Sequence, residues 1–543
     1  MDEKRSAAEP DLAQTDKAAR TASYKINMTL SRKGRNRLIW MGLIIGAVSG
    51  ATAVLYRMAL EAMEALRGKI ITLLTDPWSI ALYFLALLGL ALIVGLLMKS
   101  EPLIKGSGIP QVEGQIQGYF SPSWFKVLSR KFLGGCLCIL GGLSLGREGP
   151  SIQLGAMAAQ GVSGRIKLSR ADQRYLLTCG ACAGLAAAFN APLAGLMFGL
   201  EEIQKNFSSR AIFPALIASF TADVVSKIFF GTGASLGISL PTDALPLRFY
   251  WLYLLLGPLM GLCGAIYNKT LFGLNKAYRQ GPWPSWLQPI LPFMLAGVLA
   301  LTMPQVLGGG HDLITGMAAA EFTVRMLLVL LAGKFIFSML SFCSGAPGGI
   351  FFPLLVLGGM VGSLFGQFAV AYLGLPEEMA LRFMLLGMAG MFSAVVRAPL
   401  TGIILVLEMS ASLTQLVGLS IVAGLSWIVA DLLGSRPVYE QMLDNMTADL
   451  DTAGADHPSS LEQSFIEITL PYKSALVGKQ VRQIPWPSRI LVVSIIRGDK
   501  QIMPKGDTVM ESGDTLVIAC YAGEEVMVRA AIDDITNWAN FRE

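Results

Sequence analysis

Long apolar stretches constrain this chain more than any other feature. They run over roughly 38–65, 78–98, 123–145, 174–203, 211–232, 249–272, 284–305, 323–342, 351–373, 380–411 and 414–433. About 20 consecutive apolar residues suffice to cross a bilayer as a helix. A water-soluble fold of this size would need a charged surface to cover such segments. Only 15% of the 543 residues are charged, against about 25% in soluble domains. The sequence therefore predicts an all-α polytopic membrane protein, not a soluble enzyme. Several runs are too long for one span or are broken by Gly and Pro. Interruptions of that kind are tolerated at membrane depth where the backbone lines an ion pathway.

Composition excludes other classes. Histidine occurs only at His311 and His457, so no histidine metal centre and no metal cofactor are expected. The net charge of +5 gives no reason to expect nucleic acid as a partner. No nucleophile–base pair stands out, so no enzymatic activity is expected. Cys179-x-x-Cys182 lies in an Ala/Gly-rich helical run without a second pair and reads as packing.

The ends differ from the middle. Residues 1–37 are polar and lack the apolar core of a signal peptide; residues 1–22 read as unstructured, and 24–37 as an inner-leaflet helix or a solvated tail. Arg32, Lys33, Arg35 and Arg37 precede the first apolar run, and the positive-inside rule puts that end in the cytoplasm. Residues 38–447 form the membrane domain and 448–463 a polar linker. Residues 464–543 form a small α+β domain. Its strands are expected at Phe465–Leu470, around Ile490–Val493 and at Thr515–Cys520, with a closing helix over Glu524–Asn537.

An internal repeat is readable. Gly146-Arg-Glu-Gly-Pro150 matches Gly349-Ile-Phe-Phe-Pro353, and Gly155 matches Gly358. Ala191-Pro-Leu-Ala-Gly195 matches Ala398-Pro-Leu-Thr-Gly402, and Glu201 matches Glu408. Duplicated halves of a transporter usually place the substrate at their interface. The sequence does not say whether the halves are parallel or inverted.

Three segments share the form G-x-x-x-P: Gly106-Ser-Gly-Ile-Pro110, Gly146–Pro150 and Gly349–Pro353. Each puts Pro at a helix start, where its missing N–H costs nothing. Free N–H groups at such termini attract anions through partial charge. Three termini meeting in the membrane would bind a small anion without a full positive charge, and so release it readily; the plainer reading is three loop-forming helix breaks. Ser107 could add a hydroxyl, or serve as a cap. Glu148, an acid among apolar residues, is a functional candidate by default. Its carboxylate could occupy the anion's place until protonated, which makes it both gate and proton carrier. Arg147 beside it offers the alternative of a surface ion pair. Glu201 is shared by both halves and reads as structural. Glu202 has no repeat mate, so it is either an internal proton acid or a solvated helix end near Lys205. Tyr439, taken alone, reads as an interfacial anchor more readily than as a pore hydroxyl.

The order of these motifs, with the late tyrosine, resembles the CLC chloride channels and chloride/proton antiporters over about residues 30–447. The resemblance implies a homodimer with one anion pathway per subunit, built from two inverted halves of tilted and broken helices. It implies hydroxyls from Ser107 and Tyr439 and backbone amides of Gly149, Ile350 and Phe351 around the anion. Glu148 would be the gating glutamate and Glu202 the internal proton glutamate. An acid at the Glu202 position resembles antiporters more than channels. Ser107, in place of a Pro there, resembles chloride-preferring members. The tail segments Leu476–Gln480, Ile490–Val493, Met503–Asp507 and Ser512–Leu516 resemble a TrkA C-terminal (RCK-C) domain, which implies control by a small ligand; a stabilising dimer appendage is the alternative. The expectation is chloride/proton exchange across a bacterial inner membrane, with both termini cytoplasmic. A passive proton-gated chloride channel is the main rival. A cation transporter is a weaker one, lacking matched intramembrane acids in the two halves.

Overall fold

The computed structural model describes residues 9–166, 168, 170–205, 209–233, 235–237, 245–452, 463–471, 474–487, 490–497, 500–521 and 525–537. The chain divides into two compact units, Met1–Val112 with Pro122–Gln441 and Glu113–Ser121 with Met442–Glu543.

The helices are α1 (Glu9–Thr72), α2 (Pro77–Ser100), α3 (Ile109–Gln117), α4 (Trp124–Leu140), α5 (Glu148–Ser163), α6 (Arg170–Phe189), α7 (Pro192–Phe198), α8 (Ser209–Phe230), α9 (Trp251–Gln280), α10 (Ile290–Thr302), α11 (His311–Ala318), α12 (Val324–Cys343), α13 (Phe351–Leu373), α14 (Ala380–Val396), α15 (Pro399–Ser410), α16 (Leu416–Leu432) and α17 (Val438–Thr452). Among the described residues, eight helical stretches are long and apolar enough to cross a bilayer. The protein is a multi-pass membrane protein. Within residues 1–22, where the sequence suggested no structure, the backbone is helical from Glu9 onward. Residues 11–33 hold neither Gly nor Pro and are rich in Ala, Lys, Arg and Leu, which favour helix; residues 1–8 lie outside the described residues, as does most of the 448–463 linker.

The apolar runs over 174–203 and 380–411 are each two helices. Both break at a residue in the left-handed region, Asn190 (φ 53°) and Arg397 (φ 73°). An Ala-Pro then starts α7 and α15.

The repeat is inverted. Glu201 follows α7, and its carboxylate accepts hydrogen bonds from the Leu400 and Thr401 amides (3.2 and 2.7 Å) and the Thr401 hydroxyl (2.7 Å) at the start of α15. Glu408, near the end of α15, accepts from the Leu193 and Ala194 amides (3.0 and 2.8 Å) at the start of α7. Each end of one segment meets the start of the other, so the two run antiparallel. Charged acceptors at helix starts complement orphan N–H groups. Replacing Glu201 by Ala removes a charged acceptor from three donors. We expect it to cost about 2–3 kcal/mol, read as a lower unfolding midpoint in detergent; Glu408→Ala should do the same.

The helix pairs α5·α6 and α13·α14 cross at glycines. A methyl on Gly155 would strike the Gly180 carbonyl, and one on Gly358 the Gly387 carbonyl. The halves also share a third pairing. Short 3₁₀ turns Pro102–Ile104 and Pro304–Val306 lead into α3 and α11. Gly106 and Gly108 (φ 60° and 97°) match Gly308 and Gly310 (φ 63° and 102°). The buried Lys131 ammonium donates to the Ile104 and Gly106 carbonyls (2.9 and 2.6 Å). Lys334 does the same for Val306 and Gly308 (3.0 and 2.7 Å).

The second unit holds a four-stranded antiparallel sheet. Its strands are β1 (Gln463–Thr469), β2 (Leu491–Arg497), β3 (Lys500–Ile502) and β4 (Thr515–Tyr521), in the order β1-β4-β2-β3. Helix α18 (Glu525–Asn537) supplies Val528 and Ile532 to a core with Ile466, Ile468, Leu516 and Ile518. The expected strands and closing helix are all present; β3, three residues long, gave no sequence signal. Arg497 grips the buried Asp514 through two bonds of 2.8 Å, and the Glu511 amide adds a third. Burial alone would raise the Asp514 carboxyl; these donors outweigh it and hold the group below its usual range.

Candidate functional site

Gly146 and Gly349 exchange two backbone hydrogen bonds of 2.7 and 2.8 Å, which set the starts of α5 and α13 side by side. The Gly106 amide donates to the Gly345 carbonyl (3.1 Å), and the Gly348 amide to the Gly106 carbonyl (3.0 Å). The first motif is thereby stitched to the segment leading into the third. A Cβ on Gly149 would lie against the Ser107 hydroxyl and 2.8 Å from its carbonyl; one on Gly349 would lie 3.2 Å from the Gly149 nitrogen. All three Gly–Pro segments therefore meet in one place.

Their amides are free of the helical ladders. In α5 the first bond comes from the Ser151 amide to the Arg147 carbonyl, leaving Gly149 ahead of it. In α13 it comes from Leu354 to Ile350, leaving Phe351 ahead. Pro150 and Pro353 have no N–H, so these first turns carry few donors, all aimed away from the helix.

Ser107 is 2% exposed, Ile350 2%, and Glu148, Phe351 and Tyr439 are fully buried. The Ser107 and Tyr439 hydroxyls and both Glu148 carboxylate oxygens make no hydrogen bond within the protein. The Tyr439 and Ser107 hydroxyls face one another. Buried polar atoms are nearly always partnered, so such a cluster calls for a chemical explanation. Complete burial removes the interfacial-anchor reading of Tyr439. Its ring stands edge-on to Phe198 (6.5 Å between centroids), and Phe351 packs on Phe189, Phe198 and Phe392 (5.5, 5.8 and 4.7 Å). Ring edges carry partial positive charge and make a dry wall tolerant of anions.

Glu148 is the first residue of α5. Its carboxylate lies beside the Phe352 amide, and the Arg147 Nε is 3.9 Å away. The ion pair with Arg147 exists, but the acid is buried and not on a surface. Glu202 sits in a single π-helical turn, Gly199–Ile203, that extends α7. It is 4% exposed, so it is not a solvated helix end, and it lies near enough to act electrostatically on the Tyr439 hydroxyl. Cys179 and Cys182 are buried free thiols in the packing of α6. Among the described residues there is no cluster suited to a metal.

Sequence reasoning missed the surroundings of Glu148. A passage of about 20 Å³ reaches the acid between Glu64, Arg147, Gly309, His311 and Phe352. His311 stacks on Phe352, 4.0 Å between ring centroids. The only available signal was the Gly–Gly–Gly–His run at 308–311.

With this geometry, comparisons carry specific weight. The family described as "Voltage gated chloride channel" matches residues 89–431, and the TrkA-C domain matches residues 465–532. A relative in Salmonella agona (strain SL483), called the H(+)/Cl(-) exchange transporter ClcA, is 34% identical over 434 residues, covering 77% of this chain and 90% of its own length. Its counterpart in Salmonella typhimurium is 34% identical over 435 residues, with the same coverage. Among solved structures, a slow cyanobacterial Cl-/H+ antiporter superposes with a TM-score of 0.72 at 28% identity, covering 76% of this chain and 99% of that one. A eukaryotic CLC transporter shares the fold, with a TM-score of 0.64 at 22% identity, covering 82% and 78%. The chain belongs to the voltage-gated chloride channel (CLC) family, with a TrkA-C domain following its membrane part.

Proposed function

We propose that this protein exchanges chloride for protons across a bacterial inner membrane, with both termini cytoplasmic and two identical subunits. The observation that carries this reading is the convergence of three Gly–Pro segments on one buried spot where hydroxyls and a carboxylate lack hydrogen-bond partners. Chloride is held there by the amides of Gly149, Ile350 and Phe351 and the hydroxyls of Ser107 and Tyr439. Dipolar donors hold a halide firmly enough to strip part of its hydration and weakly enough to let it leave. The Glu148 carboxylate, ionised, competes for the same donors. Protonated, it gives up the place to chloride, so one protonation both admits the anion and loads a proton. Glu202 supplies or collects that proton on the Tyr439 side. The relatives named as H(+)/Cl(-) exchangers support exchange over passive conduction. The TrkA-C domain would tune the cycle on binding a small ligand.

Liposomes with opposed chloride and pH gradients test this reading. The reversal potential should lie away from the chloride Nernst value and move with the pH gradient. Glu202→Gln should return it to the chloride value while chloride still crosses. A wild-type protein that reverses at the chloride potential is a passive channel, and the exchange reading fails.

A further inference from the structure

Glu148 must trade protons with the solution on its own side, yet it is fully buried. A passage of about 20 Å³ lies against it. A single water needs roughly 10–15 Å³ on a comparable measure, so hydrated ions or buffer molecules do not reach the carboxylate through it. Besides Glu148, its wall carries two groups able to pass a proton, the Glu64 carboxyl and the His311 imidazole, and His311 is the one stacked on Phe352.

The repeat explains how that histidine came to be there. The loop Gly308–Asp312 is the inverted counterpart of Gly106–Pro110. Lys334 pins it as Lys131 pins the first loop. The position of Ser107 is taken by Gly309, and that of Ile109 by His311, the first residue of α11. A Cβ on Gly309 would touch Phe352 at 3.6 Å and His311 at 3.9 Å. The second half therefore lacks a hydroxyl at this loop and brings in an imidazole. That imidazole stacks on Phe352, whose amide lies beside the Glu148 carboxylate.

We propose that His311 is the proton-relay residue between the Glu148-side solution and Glu148. A neutral imidazole takes a proton from solvent on one ring nitrogen and releases the other nitrogen's proton to the Glu148 carboxylate, directly or through one water in the passage. The acid becomes neutral, and the ring returns to its starting charge; a ring turn or proton return through the same two nitrogens resets its tautomer. The charged groups around the ring come from every packed element: Arg57, Glu64 and Arg67 of α1, Arg147 and Glu148 at the start of α5, Asp312 beside it in α11, and Lys334 of α12. Burial first, and the nearby cations Arg147, Arg57 and Lys334 after it, oppose a lasting imidazolium, which suits a group that passes protons on.

The proposal rests on the exchange reading, and its test separates the two. His311→Phe keeps a flat ring on Phe352 and removes both nitrogens. In liposomes, turnover of this variant should match wild type when the Glu148-side solution is acidic, where hydronium is plentiful. At about pH 8 on that side it should fall about a hundredfold below wild type, the low end of what general acid–base groups contribute. His311→Gln, a second variant without a relay, should follow the same profile. In a Glu148→Ala background, His311→Phe should leave chloride flux unchanged, which also shows that the protein is folded. If wild type couples protons and His311→Phe keeps the wild-type pH profile, the relay is wrong and exchange stands. If His311→Phe slows chloride flux equally in the Glu148→Ala background, the ring serves packing and the relay is likewise wrong. If wild type carries no protons at all, the exchange reading falls and the relay with it.

Discussion

Glu148→Ala should abolish proton transport while chloride continues to cross, moving the reversal potential in liposomes to the chloride Nernst value. Two structural facts argue for a complete effect. The acid is fully buried beside the proposed anion site, and its carboxylate oxygens have no hydrogen bond in the protein. Nothing else in the first turn of α5 is an acid or base: Gly149 and Pro150 follow it, and the Ser151 hydroxyl donates to the Arg147 carbonyl (2.9 Å). An alanine leaves the amides of Gly149, Ile350 and Phe351 in place, so the anion keeps its donors and loses its competitor. Chloride flux should therefore persist and cease to depend on pH on the Glu148 side. Surviving proton transport in this variant would contradict the proposed gate.

Gly149→Ala should damage anion binding more than it damages the fold. The new methyl would press on the Ser107 hydroxyl and sit 2.8 Å from the Ser107 carbonyl and 3.4 Å from the Gly349 Cα. Two of those three neighbours are backbone, and the Ser107 loop is held by Lys131 and by the Gly106–Gly345 bond, so it cannot yield freely. Overpacking of this kind costs about 1–3 kcal/mol of stability. Displacing the site by about 1 Å can cost about a hundredfold in rate. We expect transport reduced by that order with a modest drop in the unfolding midpoint, and weakened chloride binding by calorimetry. Wild-type affinity would mean that Ser107 and Gly149 do not share the anion.

Part of this was readable in the chain alone. The pairs Gly146–Pro150 with Gly349–Pro353 and Glu201 with Glu408 kept enough identity to be seen. Their chemistry resists change, since a Pro-started first turn and a charged helix cap have few substitutes. The third pair, Gly106–Pro110 with Gly308–Asp312, kept only backbone shape and two glycine positions, and so passed unnoticed together with Lys131 and Lys334. Direction was also hidden. Sequence order does not record which way a helix points, and only the crossed Glu201 and Glu408 contacts reveal it. Tyr439 illustrates another limit: one aromatic after the last apolar run is compatible with either end of a helix, and burial against Phe198 decides it.

The crossed glutamates have a bearing on ancestry. Each half leaves the start of one of its own helices bare and covers the matching start in the other. A forebear made of one half would have met this need only by pairing head-to-tail with a second copy of itself, lying upside down in the same membrane. Such a chain had to insert in both orientations, and gene fusion would then have frozen that dual topology into a single polypeptide.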